Sequence, residues 1–197
     1  MSGTWSVAAL YVDPAGPYGD IAAEVYDQDR DAQTFPGGMP VVAHPPCGMW
    51  GKLAWRCKQD NKGLGIHAVQ VVRECGGVLE HPVGSRLFAE CGISVDGVLD
   101  QWGGYTIRAE QLGWGHRGRK DTIFYIAPGP GRSGEPVGFL PPLPERVGEF
   151  EIKPVQNMGK LERRLTPPAL AWWLCSVAYR TSRPDSELWP DKTRSLS

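Results

Sequence analysis

No stretch of this chain approaches the roughly 20 consecutive apolar residues that a membrane-crossing helix needs. Its start has neither the basic residues nor the apolar run of a secretory leader, so a cytoplasmic location is the expectation. Charge of one sign is missing too: the net charge of −1 argues against a strongly basic nucleic-acid binder, although a neutral total can hide a basic patch. Cysteine is sparse and unpaired. Five residues, an odd number without a C-x-x-C pair, make neither a disulfide scaffold nor a zinc ribbon.

What the chain does have is 25 glycines, 18 prolines and eight tryptophans in 197 residues. That is enough chain for one domain with sharp turns and a proper core. Short apolar runs alternate with helical patterns. Ala8 to Val12, Val41 to Ala43, Val78-Leu79, Tyr105 to Arg108 and Thr122 to Ala127 read as strands, and Ile21 to Tyr26 as a weak strand or helix. Ile66, Val69, Val72 and Cys75 recur at three-residue steps, which predicts a helix face ended by Gly76-Gly77. A helical patch is expected around Ser85 to Glu90. Thr166 as N-cap and Pro167 at the first helical position predict a final helix with Leu170, Leu174 and Ala178 inward.

This alternation predicts an α/β sheet with helices on both faces, in which ligands bind beyond the carboxyl ends of the strands. Unusual chemistry sits at three such ends: Asp13-Pro14, His44-Pro45-Pro46-Cys47 and Glu80-His81-Pro82. Cys57, Cys75, Cys91 and Cys175 fit small apolar fillers. Cys47 differs, because a turn fixed by two prolines can aim a thiol at a defined atom. His44 and Cys47 form an H-x-x-C pair that Cys57 or His67 could complete as a metal site, but no second close pair supports it, and no metal is expected.

Four segments in order resemble motifs of the DNA cytosine-5 methyltransferases. Pro46-Cys47 is similar to the family's nucleophile loop, and Glu80 to its Glu-Asn-Val strand end, with His81-Pro82 in place of Asn-Val. In Gly115-His116-Arg117-Gly118-Arg119-Lys120 the two arginines fall where the family has Gln-x-Arg-x-Arg, with Gly115 in place of Gln. Arg163-Arg164-Leu165-Thr166-Pro167 resembles the opening of the family's closing helix. The likeness spans roughly Ala8 to Arg180 and is closest to short, phage-borne members.

The resemblance implies a Rossmann-like methyltransferase sheet in minimal form. Residues 1–127 would be the catalytic core, 128–160 a Gly/Pro-rich connector, 161–182 the closing helix and 183–197 a tail. It implies that Cys47 attacks C6 of a pyrimidine while Glu80, a carboxyl whose pKa is best raised for the purpose, protonates N3. His44, Pro46, His81, Arg117, Arg119 and Lys120 would surround the base or a phosphate. S-adenosylmethionine would be the cofactor, held by Asp13, Gly16, Gly19 and Asp27 (or Asp29). The chain departs from the family in its first loop, Val12 to Gly19, which has no Phe-x-Gly-x-Gly-Gly pattern, and in having no large DNA-reading module. Three activities follow: a small cytosine-C5 methyltransferase on DNA, a relative acting on a pyrimidine nucleotide without that cofactor, or a nucleobase-binding module without catalysis. In a phage-borne enzyme the compartment would be the host cytoplasm.

Overall fold

The computed structural model describes residues 4–51, 54–58, 60–130, 141–143, 152–153 and 157–183. The connector expected over 128–160 and the tail over 183–197 therefore lie mostly outside the described residues. Six strands form one mixed sheet: β1 (Trp5–Leu10), β2 (Ala22–Tyr26), β3 (Val41–Ala43), β4 (Gly77–Pro82), β5 (Tyr105–Glu110) and β6 (Asp121–Ala127). Their order across the sheet is β2-β1-β3-β4-β6-β5. The first four strands run parallel, and β6 is antiparallel to both β4 and β5. The weak segment before Tyr26 resolves as a strand.

Side chains of the parallel strands alternate between two buried layers, as the two-residue period of a strand requires. Val7, Ala9, Val42, Val78 and Phe124 face helix α4 (Pro168–Thr181), where Leu170, Leu174 and Ala178 are fully buried, as their spacing predicts. Ala8, Leu10, Val41, Ala43 and Leu79 face helix α1 (Lys62–Cys75) on the other side. The inner face of α1 is shifted from the expected stripe: Ala68, Val69 and Val72 are buried, while Ile66 and Cys75 are half-covered. Helix α4 also starts one residue later than expected. Pro167, not Thr166, occupies the N-cap with ψ 140°, because the ring of Pro168 pushes the residue before it out of helical geometry. Two shorter helices lie between α1 and α4 in the chain, α2 (Leu87–Glu90) and α3 (Lys160–Arg164).

One glycine sets the centre of the sheet. Gly77 has φ +136°, and a Cβ there would lie 2.0 Å from the Val41 carbonyl oxygen. Only glycine lets β3 and β4 approach at that point. Among the described residues no helix is long and apolar enough to cross a membrane.

Candidate active site

The chain leaves β1 toward β2 on one side and reaches β3 on the other, so the strand order reverses between β1 and β3. In an open α/β sheet this reversal leaves a crevice at the carboxyl ends of the strands. The loop after β1, the cysteine turn after β3 and the end of β4 all border it, as the sequence predicts. The backbone marks the same place: Tyr11, directly after β1, is the one non-glycine described residue with positive φ, at 59°. Such strain persists only where the surroundings impose it. The Tyr11 hydroxyl is anchored 2.7 Å from His67 Nδ1.

Strand alternation puts Glu80 on the α4 face and His81 on the opposite face. Glu80 is 6% exposed, a buried carboxylate that needs partners, and it has them on both oxygens. His44 Nδ1 lies 3.2 Å from Oε2, Gln111 Nε2 donates to Oε1 at 2.9 Å, and the Thr122 hydroxyl donates to Oε1 as well. Lys120 Nζ stands 3.9 Å from Oε1. Burial alone would raise the carboxyl pKa. The Lys120 charge, the His44 contact and the Thr122 hydroxyl outweigh it and hold the group well below the usual carboxylate range. The resting site thus carries an ionised Glu80, not the raised acid that N3 protonation favours, because four neighbours stabilise its charge.

His44 extends this cluster. Its Nε2 is 2.6 Å from the hydroxyl of Tyr18, a ring buried in the α4-side core. A carboxylate at Nδ1 assigns the proton to that nitrogen, so Nε2 accepts from Tyr18. His81 holds the other face: its Nδ1 is 2.7 Å from Ser85 Oγ, which accepts from Leu87 N at 3.1 Å. Burial pushes the His81 pKa down to about 4, with Glu80 and the backbone of Pro45 and Pro46 acting in the opposite direction. It is neutral near pH ~7 and serves to pack the proline turn.

Cys47 is exposed at the N-cap of a 3-10 turn over Gly48–Trp50. The Trp50 and Gly51 amides donate to its carbonyl at 3.1 and 3.2 Å, which fixes the turn. Surrounding atoms desolvate its sulfur, and that raises the thiol pKa. The Glu80 charge raises it further and Lys120 lowers it, so the thiol and the carboxylate sense one another electrostatically. Of the remaining cysteines only Cys175 is buried as an apolar filler; Cys75 and Cys91 are half-covered and Cys57 is exposed.

A cavity of about 440 Å³ opens between the loop after β1, the turn after β5 and the start of α4. Trp114, Met158 and Pro167 give it apolar walls, and Arg117 and Glu162 are its charged lining residues. His116 also lines it; the ring is 3% exposed, and its Nε2 has no partner among the described residues. Gly16 lines this cavity, whereas Asp13, Gly19 and Asp27 do not. Asp13 accepts from Ala15 N at 3.1 Å and lies 3.8 Å from Arg164. Asp27 caps its own turn, accepting from the amides of Asp29 and Arg30 at 2.9 and 3.1 Å. Arg119 is exposed on the loop between β5 and β6. Among the described residues no group of three or more His, Cys, Asp or Glu side chains could hold a metal ion.

Sequence reading missed Gln111, Thr122 and Tyr18, which complete the Glu80 cluster. The only signal was a polar residue opening an otherwise apolar strand, Thr122. No model of a known family matches the chain, and no curated protein matches it either.

Proposed function

We propose that this protein modifies pyrimidines at C5 by transient attachment to Cys47, as the cytosine-5 methyltransferases do. The single observation that carries this is the placement of Cys47 and Glu80 at the carboxyl ends of the adjacent parallel strands β3 and β4, where His44 from the cysteine loop contacts Glu80.

The chemistry follows from their charge states. Cys47 rests as a thiol and Glu80 as a carboxylate. When sulfur bonds to C6 of the base, the thiol proton ends on N3. The electron pair of the C5–C6 double bond shifts toward C5. Glu80 accepts a hydrogen bond from the new N3–H, so its permanent charge stabilises the protonated ring where it forms. Lys120 remains beside Glu80 and limits the accumulated negative charge. C5 is then nucleophilic. After it takes up an electrophile and loses its proton, elimination restores the C5–C6 double bond, and the N3 proton returns to the departing Cys47 sulfur.

The larger cavity fits S-adenosylmethionine in size, in apolar lining and in its two charged lining residues. Arg117 and Glu162 would hold the carboxylate and ammonium of its amino-acid part, and His116 Nε2 is an unsatisfied polar atom in the same wall. When bound, that cofactor supplies an electrophilic methyl group. The mixed sheet with its reversal between β1 and β3 supports a Rossmann-like methyltransferase fold, and the substrate would be a cytosine in DNA or in a nucleotide.

Mass spectrometry after incubation with S-adenosylmethionine and 5-fluorocytosine, in DNA or as the nucleotide, tests the reading, because fluorine at C5 blocks the elimination that follows methyl uptake. A covalent adduct on Cys47, absent from Cys47→Ser, is the expected result. Tight binding without an adduct identifies a nucleobase-binding module and removes the enzymatic reading.

A further inference from the structure

Beside the cysteine turn lies a second cavity, separate from the Glu80 cluster. It measures about 420 Å³ and is lined by Gly51, Ala54, Trp55, Gly84 and Arg86. Its walls come from the segment that follows Cys47 and from the segment that follows β4, the strand that carries Glu80. From the first, Gly51 N donates to the Cys47 carbonyl and Ala54 N to the Gly51 carbonyl, each at 3.2 Å. From the second, Arg86 N donates to the Trp50 carbonyl at 3.0 Å. The cavity is therefore bonded through the backbone to the cysteine turn.

Trp55 stands on the 3-10 turn Ala54–Arg56 and is 75% exposed, more than any other large apolar side chain described. A lone exposed indole would call for no explanation. This one has cationic company. The Arg56 guanidinium sits 4.7 Å from its ring centre, Arg86 lines the same cavity, and Lys58 follows on the exposed chain. None of these three cations forms an ion pair among the described residues. The sequence contains no acidic residue between Asp31 and Asp60, so the segment has no negative charge of its own to neutralise Arg56 and Lys58. An open aromatic ring among unneutralised cations is how proteins hold single-stranded nucleic acid: bases stack on the ring and phosphates meet the cations.

We propose that this cavity receives the nucleotide joined to the target pyrimidine in a single DNA strand, its base stacked on Trp55 and its phosphate against Arg86. The inference rests on the reading of Cys47 and Glu80 as the reacting pair, and it makes the substrate a strand rather than a free nucleotide.

The test uses the full chain, a fluorescein-labelled single-stranded deoxyoligonucleotide of about ten nucleotides with one central 5-fluorocytosine, and 5-fluorodeoxycytidine monophosphate. Fluorescence anisotropy gives affinity, with the monophosphate measured as competitor, and mass spectrometry after addition of S-adenosylmethionine gives adduct on each ligand. Trp55→Ala is expected to weaken oligonucleotide binding roughly tenfold and Trp55→Phe to retain most of it. Arg86→Gln is expected to weaken binding and reduce the salt dependence by about one ion. Monophosphate affinity should be unchanged in all three. Equal oligonucleotide affinity in Trp55→Ala and the unaltered protein overturns the proposal, as does an equal loss for the monophosphate. If neither ligand forms an adduct while oligonucleotide binding still depends on Trp55, the reacting-pair reading fails and the strand surface stands.

Discussion

His44 bridges Tyr18 and Glu80: one ring nitrogen lies 2.6 Å from the phenol oxygen and the other 3.2 Å from the carboxylate. The Glu80 carboxylate keeps the imidazole proton on Nδ1, and the Tyr18 hydroxyl satisfies the Nε2 lone pair that this tautomer leaves. In Tyr18→Phe, Nε2 faces the core without a donor, and the alternative tautomer would set a lone pair against a carboxylate. Stability should fall by about 1–3 kcal/mol, measured by urea unfolding. Adduct formation with 5-fluorocytosine should slow about tenfold, while alkylation of Cys47 by iodoacetamide stays near its original rate.

Glu80→Gln should separate thiol reactivity from catalysis. The Glu80 charge raises the Cys47 pKa, so its removal lowers that pKa and increases the thiolate fraction near neutral pH. Iodoacetamide should then label Cys47 faster, and its pH profile should move toward lower pH. Adduct formation on the base should nevertheless drop by about 100-fold or more. A fall in both rates would remove the electrostatic link between the two residues.

Acid should destabilise the fold partly through the same carboxylate. Its folded pKa lies below the unfolded value near ~4.3. The stabilisation is therefore fully present above that value and is lost as pH falls toward the folded pKa. Denaturation midpoints between about pH 5 and pH 2 should decline less steeply in Glu80→Gln than in the unaltered protein. Parallel curves would show that Glu80 titrates normally.

Gly65 on α1 controls the position of the cysteine turn from behind. A Cβ there would lie 2.6 Å from Trp50 Nε1 and 3.1 Å from Leu87 Cδ1. Gly65→Ala gains helix propensity of ~1 kcal/mol, yet it must displace the buried indole that follows Cys47. Overpacking of this kind costs about 1–3 kcal/mol. Thermal unfolding should show a net loss or near balance, and adduct formation should fall even if the melting temperature holds.

The strand ends were legible because their chemistry is local. A pair of prolines after Val41-Val42-Ala43 stops a strand and rigidifies a turn whatever the rest of the chain does. Glu80 was likewise visible as a charge interrupting an apolar strand. Its ionisation was not, because the charge is set by Gln111, Thr122 and Lys120, which lie far along the chain. Gly16 alone of the four expected cofactor residues lines the larger cavity. Asp27 could not be assigned by type, since an aspartate after a strand serves a ligand or its own turn equally well, and here it caps the turn. Trp55 was hidden for a different reason: nothing in its neighbours' identities shows that an indole will stay uncovered.

The partners of Glu80 also bear on how the molecule assembles. Gln111 and Thr122 reach it across 31 and 42 residues of chain. They arrive only when β6 has paired with β4. Before that event Glu80 is an ordinary hydrated side chain at an open sheet edge, titrating as it would in a peptide. Without them the carboxylate, ionised near neutral pH in either case, would be held by His44 and water alone. The closing of the sheet buries this charge and supplies its partners in a single step.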